Sequence, residues 1–390
     1  MQHERLTVEH LIARACKEAG VASFNSPVFL PALRKLVESI NEVLDQLHER
    51  GRIGIEDTII RLLVNRLRLQ RDLDRHPEIL HEVLQPPAAI IGLPRTGTTK
   101  LQRLVAAGQG FQELLMWQAF NPAPFSTLAA GRRDPRIDAA AEFVRWVEND
   151  APDSHKGHTM IVEGVEEEHH VLDQTFQSPS MVSFAPVYSW CRYIDRLDKT
   201  DMFAHLERSL KYLQWQFHRD EARPWLLKFP ANLGHESYLD RAFPGVRYVV
   251  THRDPFPVMA SLVRLNLATQ LLYCRPQQPQ RFSRWAMEEF ASQMERHLAW
   301  REENPAAQIL DVPFKDIVIN GFAVAERIYD FLGVPWTAAA QASIRGWLEE
   351  NERQRDKLNY SLHDLAFTEE ECRTRFADYY DRFGHLFEEP

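Results

Sequence analysis

Residues 88–100, Ala-Ala-Ile-Ile-Gly-Leu-Pro-Arg-Thr-Gly-Thr-Thr-Lys, hold the parts of an anion cradle. Ala88 to Ile91 is a short apolar run that reads as a buried strand. It breaks at Gly92 into a Gly/Pro turn, and Thr98 and Thr99 can cap a helix continuing through Leu101, Leu104 and Val105. First-turn N–H groups lack intrahelical partners and the helix dipole favours negative charge, so strand, glycine turn and helix start together suit a phosphate. Gly92 and Gly97 keep the spacing of the nucleotide-binding loop G-x-x-x-x-G-K-[ST], with Thr99 in the Ser/Thr place. Thr98 replaces the lysine that reaches the β- and γ-phosphates, and the basic residue sits inside the loop at Arg95. That exchange argues against triphosphate hydrolysis and for a shorter anionic group.

Two more segments end a strand on charge. Arg247-Tyr-Val-Val-Thr-His-Arg-Asp-Pro255 is a strand entering a turn, and Pro255 suits the start of a helix carrying Met259, Leu262 and Val263 on one stripe. Trp225-Leu-Leu-Lys-Phe-Pro230 is a shorter strand ending on Lys228. His252-Arg-Asp254 also has the composition of a salt-bridge cluster, with Arg253 carrying more functional weight than its neighbours.

Pro94-Arg-Thr-Gly-Thr-Thr99 resembles the phosphosulfate loop of sulfotransferases, most closely of bacterial, mycobacterial-type members. Those enzymes use 3′-phosphoadenosine 5′-phosphosulfate (PAPS) as sulfuryl donor. Their usual loop is Pro-Lys-Ser-Gly-Thr-Thr, so Arg95 and Thr96 replace a lysine and a serine. The resemblance assigns Arg95, Thr96, Gly97, Thr98 and Thr99 to the 5′-phosphosulfate, and Arg253 and Ser261 to the 3′-phosphate. Lys228 would face the sulfuryl group, with Phe229 where a serine is common. The resemblance runs from Ala88 to Gly333, with a weaker echo to Gly384. A basic loop near the end of such chains often closes over the 3′-phosphate, and Arg353, Arg355 and Lys357 are candidates for it.

Sulfuryl transfer needs positive charge on the leaving phosphate and a base for the acceptor proton. Arg95 and Lys228 supply the charge. The cytosolic branch places a histidine base two residues after the central lysine, where this chain has Pro230. Glu167 and Glu168, within Glu163-Gly-Val-Glu-Glu-Glu-His-His170, match a Glu-Glu pair of the bacterial branch and are the catalytic candidates, unless this acidic run only decorates a helix start. His155 and His158 are weaker ones. Glu166-x-x-His169, Glu167-x-x-His170 and Glu78-x-x-His81 have a spacing used by di-iron bundles. Such bundles need further glutamates on two other helices, so no metal is expected.

Length and composition set the frame. The chain has 390 residues, 44% hydrophobic and 26% charged, as in an ordinary globular protein. A net charge of −9 argues against a nucleic-acid or membrane-surface binder. No apolar run spans a bilayer, the N-terminus lacks a secretory pattern, and Cys16, Cys191, Cys274 and Cys372 are scattered, which implies free thiols in the cytoplasm. Residues 1–85 read as a helical extension or oligomerisation element, with one helix from Asn25-Ser26-Pro27 to Gly51 and a second from Asp57. Residues 86–390 read as an α/β domain, a three-layer parallel sheet of the P-loop-like kind. Helices are expected near 136–149, 164–176 and 201–218, and strands near 225–229, 247–252 and 308–312. Ligands then bind beyond the carboxyl ends of the strands, where Arg95, Lys228 and Arg253 fall. The expected function is sulfuryl transfer from PAPS to a hydroxyl of a small molecule, lipid or carbohydrate. A P-loop kinase or a non-catalytic nucleotide scaffold is the alternative. Phe111, Trp117, Phe120, Phe125, Trp190 and Tyr193 either line an acceptor pocket or pack as core.

Overall fold

In a computed structural model of the chain, residues 5–125, 131–218, 223–352 and 364–387 are described. Arg353, Arg355 and Lys357 lie outside them. The sheet has five parallel strands in the order β2–β3–β1–β4–β5. These are β1 Ala88–Gly92, β2 Gln112–Glu113, β3 Trp225–Lys228, β4 Arg247–His252 and β5 Ile309–Pro313. The expected strands are present. The added β2 is an edge strand of two residues, too short to leave a pattern in the sequence.

The central strands β3 and β1 and nearly all of β4 are buried on both faces, as strands of a parallel sheet under helices are, while the edge strands β2 and β5 are partly exposed. Side chains alternate along β1: Ala89 and Ile91 join one core while Ala88 and Ile90 join the other. The second core is closed by the helices Thr98–Ala106, Gly321–Leu332 and Ala338–Glu352. The first also takes Leu11, Leu33 and Ile59 from the helices α1 Val8–Ala19, α2 Leu30–Glu42 and α3 Glu49–Arg75. The N-terminal helices therefore share a core with the sheet.

Their boundaries differ from expectation. The helix read as ending at Gly51 ends at Glu42, and Gly51 lies inside α3. His48 caps that helix, Nδ1 accepting from the Gly51 amide at 2.8 Å. A Cβ at Gly51 would stand 1.8 Å from the Tyr273 carbonyl oxygen, so the glycine serves close approach rather than termination. The expected helix over 164–176 is only His169–Leu172 followed by a 3₁₀ turn, Asp173–Thr175. Its first part is extended, bridging Leu115 to Val165. The helices Pro135–Asp150 and Thr200–Phe217 fall where periodicity places them. No helix among the described residues is long and apolar enough to cross a membrane.

Candidate active site

Register brings the strand ends together. Ile90 stands opposite Lys228 on one side of β1, and Gly92 opposite Thr251 on the other. The loop after β1, the end of β3 and the end of β4 therefore open at one edge. Gly97, with φ of 87°, caps the helix Thr98–Ala106 without a side-chain bond, which places Thr98 and Thr99 inside its first turn rather than at its cap. A Cβ on Gly97 would also meet the Phe314 ring at 3.0 Å. Arg95 adopts φ of 69°, a left-handed conformation costing a residue with a side chain ~1 kcal/mol or more. Its guanidinium offsets this by donating from Nε to Ser261 Oγ at 3.1 Å and from Nη1 to the Gly157 carbonyl at 2.7 Å. Thr96 is fully buried, its hydroxyl bonded to the Leu93 carbonyl and the Thr251 hydroxyl, both at 2.6 Å. Its side chain thus braces the loop.

Lys228 is buried, and its Nζ donates to Thr99 Oγ1 at 3.1 Å and to a Glu167 carboxylate oxygen. The two glutamates have different situations. Glu168 is sealed in, Oε2 accepting from the Lys228 amide at 2.8 Å and Oε1 from Asn232 Nδ2 at 2.7 Å. Burial raises its carboxyl to about 7 against the pull of those donors. Glu167 reaches the cavity described below. Glu166 accepts from its neighbour's amide and pairs with His158 at 3.1 Å. Burial opposes its charge, but His158 holds it well below the carboxylate range. Glu166 bonds His158, and Glu78 bonds His76.

At the end of β4 the three charged neighbours separate. His252 is buried between Asp311 at 2.8 Å and the Tyr379 hydroxyl at 3.1 Å. Asp254 caps the helix Pro255–Gln270, accepting from the Phe256 amide at 2.9 Å and from the Tyr380 hydroxyl at 2.5 Å. Both are structural. Arg253 lies 4.1 Å over the Phe314 ring and donates from Nη1 to the Arg95 carbonyl at 3.3 Å. Burial lowers the Arg95 pKa, and the charge of Arg253 lowers it further. The structure thus brings together Arg95, Thr98, Thr99, Lys228, Glu167, Arg253 and Ser261, with Thr96 and Glu168 behind them.

Beside this polar edge opens a cavity of about 270 Å³. Arg95, Thr99, Glu167, His158 and His169 are among its polar lining residues. Its walls are mostly apolar, including Val182, Leu262, Leu265, Phe282, Trp285 and Phe290, with Ser180, Ser183, Asn266 and Thr269 among them. None of the aromatics singled out from the sequence lines it. Phe111, Trp117, Phe120 and Trp190 are core, Tyr193 packs against core, and Phe125 lies under Arg68. His169, which the sequence offered only through a metal-type spacing, has its Nδ1 3.2 Å from Asp173 Oδ2. The i,i+4 spacing of His169 and Asp173 was the available signal.

The sequence matches the profile of the sulfotransferase family over residues 86–338. No curated protein matches the chain. Among solved structures, sulfotransferase STF9 from Mycobacterium avium is similar over 100% of this chain and 99% of its own, with a TM-score of 0.85 and 26% identity. Sulfotransferase STF1 from Mycobacterium tuberculosis H37Rv is similar over 96% of this chain and 99% of its own, with a TM-score of 0.78 and 26% identity. The chain belongs to the sulfotransferase family.

Proposed function

We propose that residues 86–390, with the N-terminal helices packed against them, transfer a sulfuryl group from PAPS to the hydroxyl of an apolar acceptor and release adenosine 3′,5′-bisphosphate. The observation that carries this is the meeting of Arg95, Lys228 and Arg253 around one helix N-terminus, open to an apolar cavity. The helix start and Arg95 receive the 5′-phosphosulfate, and Arg253 with Ser261 the 3′-phosphate. Lys228 neutralises the bridging oxygen as the sulfur–oxygen bond to phosphate breaks. Arg95 adds charge without giving up a proton, because a guanidinium stays protonated at working pH. Glu167 and Glu168 serve Lys228: one sets its Nζ, the other its main chain.

The mostly apolar walls of the cavity support an apolar acceptor. A sugar placed against Leu262, Leu265, Phe282 and Trp285 would lose water bonds that these side chains cannot replace, whereas an alkyl or aryl alcohol gains by burial. Calorimetric titration with adenosine 3′,5′-bisphosphate, beside ATP–Mg²⁺ and AMP, tests the donor. Micromolar binding of the bisphosphate alone is expected, and preference for ATP–Mg²⁺ or no binding refutes the reading. Product formation from PAPS with 1-decanol, 2-naphthol or glucose then tests the acceptor, with glucose expected to be inert.

A further inference from the structure

The acceptor's proton must leave as its oxygen attacks sulfur, and both matched glutamates are engaged. Glu168 is bonded to the Lys228 amide and to Asn232 and does not line the cavity. Glu167 is held by Nζ of Lys228, the cation the donor needs. His169 is placed differently. It lines the cavity that Glu167, Thr98 and Thr99 also line, with its ring 3.9 Å from that of His170 and 5.7 Å from that of Phe229. Its partner Asp173 is buried and acts as a hydrogen-bond acceptor, so the proton resides on Nδ1 and the lone pair on Nε2. A carboxylate that fixes the imidazole tautomer and supports the imidazolium is the arrangement of acid–histidine dyads on unrelated folds.

We infer that His169 is the general base of the transfer and Asp173 its positioning residue, an assignment that rests on the sulfuryl-transfer reading. The acceptor oxygen bonds to sulfur while the bond from sulfur to the 5′-phosphate oxygen breaks. That electron pair leaves with adenosine 3′,5′-bisphosphate, and the acceptor proton passes to Nε2. Glu167 is the counter-charge of Lys228 and takes no proton.

The charged and titratable groups facing the ring come from several elements. Asp173 follows on the same turn, and Glu166 and Glu167 come from the preceding strand-like segment. His170 lies alongside, kept neutral by burial and by His169, with Arg61 of α3 and His158 beyond it. Burial lowers the His169 pKa, but the Asp173 bond and the three negative charges outweigh it and leave it raised. The free base then exists only above that raised pKa, so kcat/KM climbs with pH through a value above the ordinary imidazole one.

The test uses PAPS with two probe acceptors, 1-decanol and p-nitrophenol, the latter being largely ionised near neutral pH. His169→Gln should lose about 100-fold or more in kcat with decanol, the usual weight of a general base, and much less with p-nitrophenol. Its affinity for adenosine 3′,5′-bisphosphate should stay at the wild-type value. Asp173→Asn should lower kcat and move the acidic limb, since an amide can donate to Nδ1 and shift the proton to Nε2. Equal loss with both acceptors, or no loss, overturns the assignment. A decanol-selective loss in Glu167→Gln alone transfers it to that carboxylate. Wild-type protein that fails to bind the bisphosphate defeats the sulfuryl-transfer reading instead. A readout independent of any acceptor is the ¹⁵N spectrum of histidine-labelled protein, with His169 assigned by its loss in His169→Gln. The Nδ1–H tautomer is expected, and Nε2–H would overturn the dyad.

Discussion

Replacing Arg253 by alanine tests the proposed recognition of the 3′-phosphate separately from the other residues proposed to hold the donor. The guanidinium rests 4.1 Å over Phe314 and is tied to the Arg95 carbonyl at 3.3 Å, so it is in place before any ligand arrives. Little side-chain entropy is then lost on binding. A hydrogen bond to a charged group contributes roughly 1.5–3 kcal/mol. The working figure is about 2–3 kcal/mol, or about 30- to 150-fold in Kd. Calorimetry with adenosine 3′,5′-bisphosphate and with AMP, on wild type and Arg253→Ala, gives a double difference. AMP lacks the 3′-phosphate, so its affinity should barely change, and any general damage to the loop through the Arg95 carbonyl cancels. Arg253→Lys should recover part of the loss, since it restores charge but not the planar fork. Equal weakening of both ligands would mean that Arg253 only supports the loop. Unchanged bisphosphate affinity would remove it from the site.

Other substitutions probe the remaining parts. Lys228→Met should cut turnover of PAPS by ~100-fold or more while bisphosphate binding persists, and it should cost about 1–3 kcal/mol in urea unfolding because Glu167 loses its partner. An unaltered rate would take Lys228 out of the transfer. Glu168 holds a proton in the folded state up to about 7, against an ordinary value of 4.5, so its contribution is complete below the lower value and fades as pH rises through the upper. Wild type should therefore lose about 3 kcal/mol more than Glu168→Gln between pH 5 and pH 8 in urea titrations, a difference that vanishes if the carboxyl titrates normally. Gly51→Ala, which usually strengthens a helix, should destabilise by about 2 kcal/mol or more, since the new Cβ meets the Tyr273 carbonyl at 1.8 Å. A neutral or raised melting temperature would show that α3 and the turn at Tyr273 part easily there. Leu265→Trp should fill the cavity, raising KM for 1-decanol without changing bisphosphate affinity. An unchanged KM would place the acceptor elsewhere.

The strand-end residues proposed to hold the donor could be picked out of the sequence because the information for them is local. An apolar run followed by glycine, proline and arginine states where β1 ends and what its end carries. The same holds for Lys228 and Arg253 at the ends of β3 and β4. In a parallel sheet the carboxyl ends of adjacent strands share an edge, so three separately identified residues had to converge once β1 lay between the other two. The acceptor half has no such rule. Its walls come from Val182 in a 3₁₀ turn, from Leu262 and Leu265 on one helix and from Phe282, Trp285 and Phe290 on another. Each is an ordinary member of an apolar stripe. Whether such a residue faces a core or a void depends on helix packing that its neighbours in sequence do not encode. Gly51 went the same way, since the reason for it is the Tyr273 backbone more than 200 positions along the chain. His169 and Asp173 stand between the two cases. Their spacing was visible, but Glu167 and Glu168 drew attention by matching a known pair, and only the packing shows those carboxylates already bonded to Lys228 and Asn232. A residue's type makes it a candidate for chemistry, but what remains unbonded and open to the cavity decides which candidate can act.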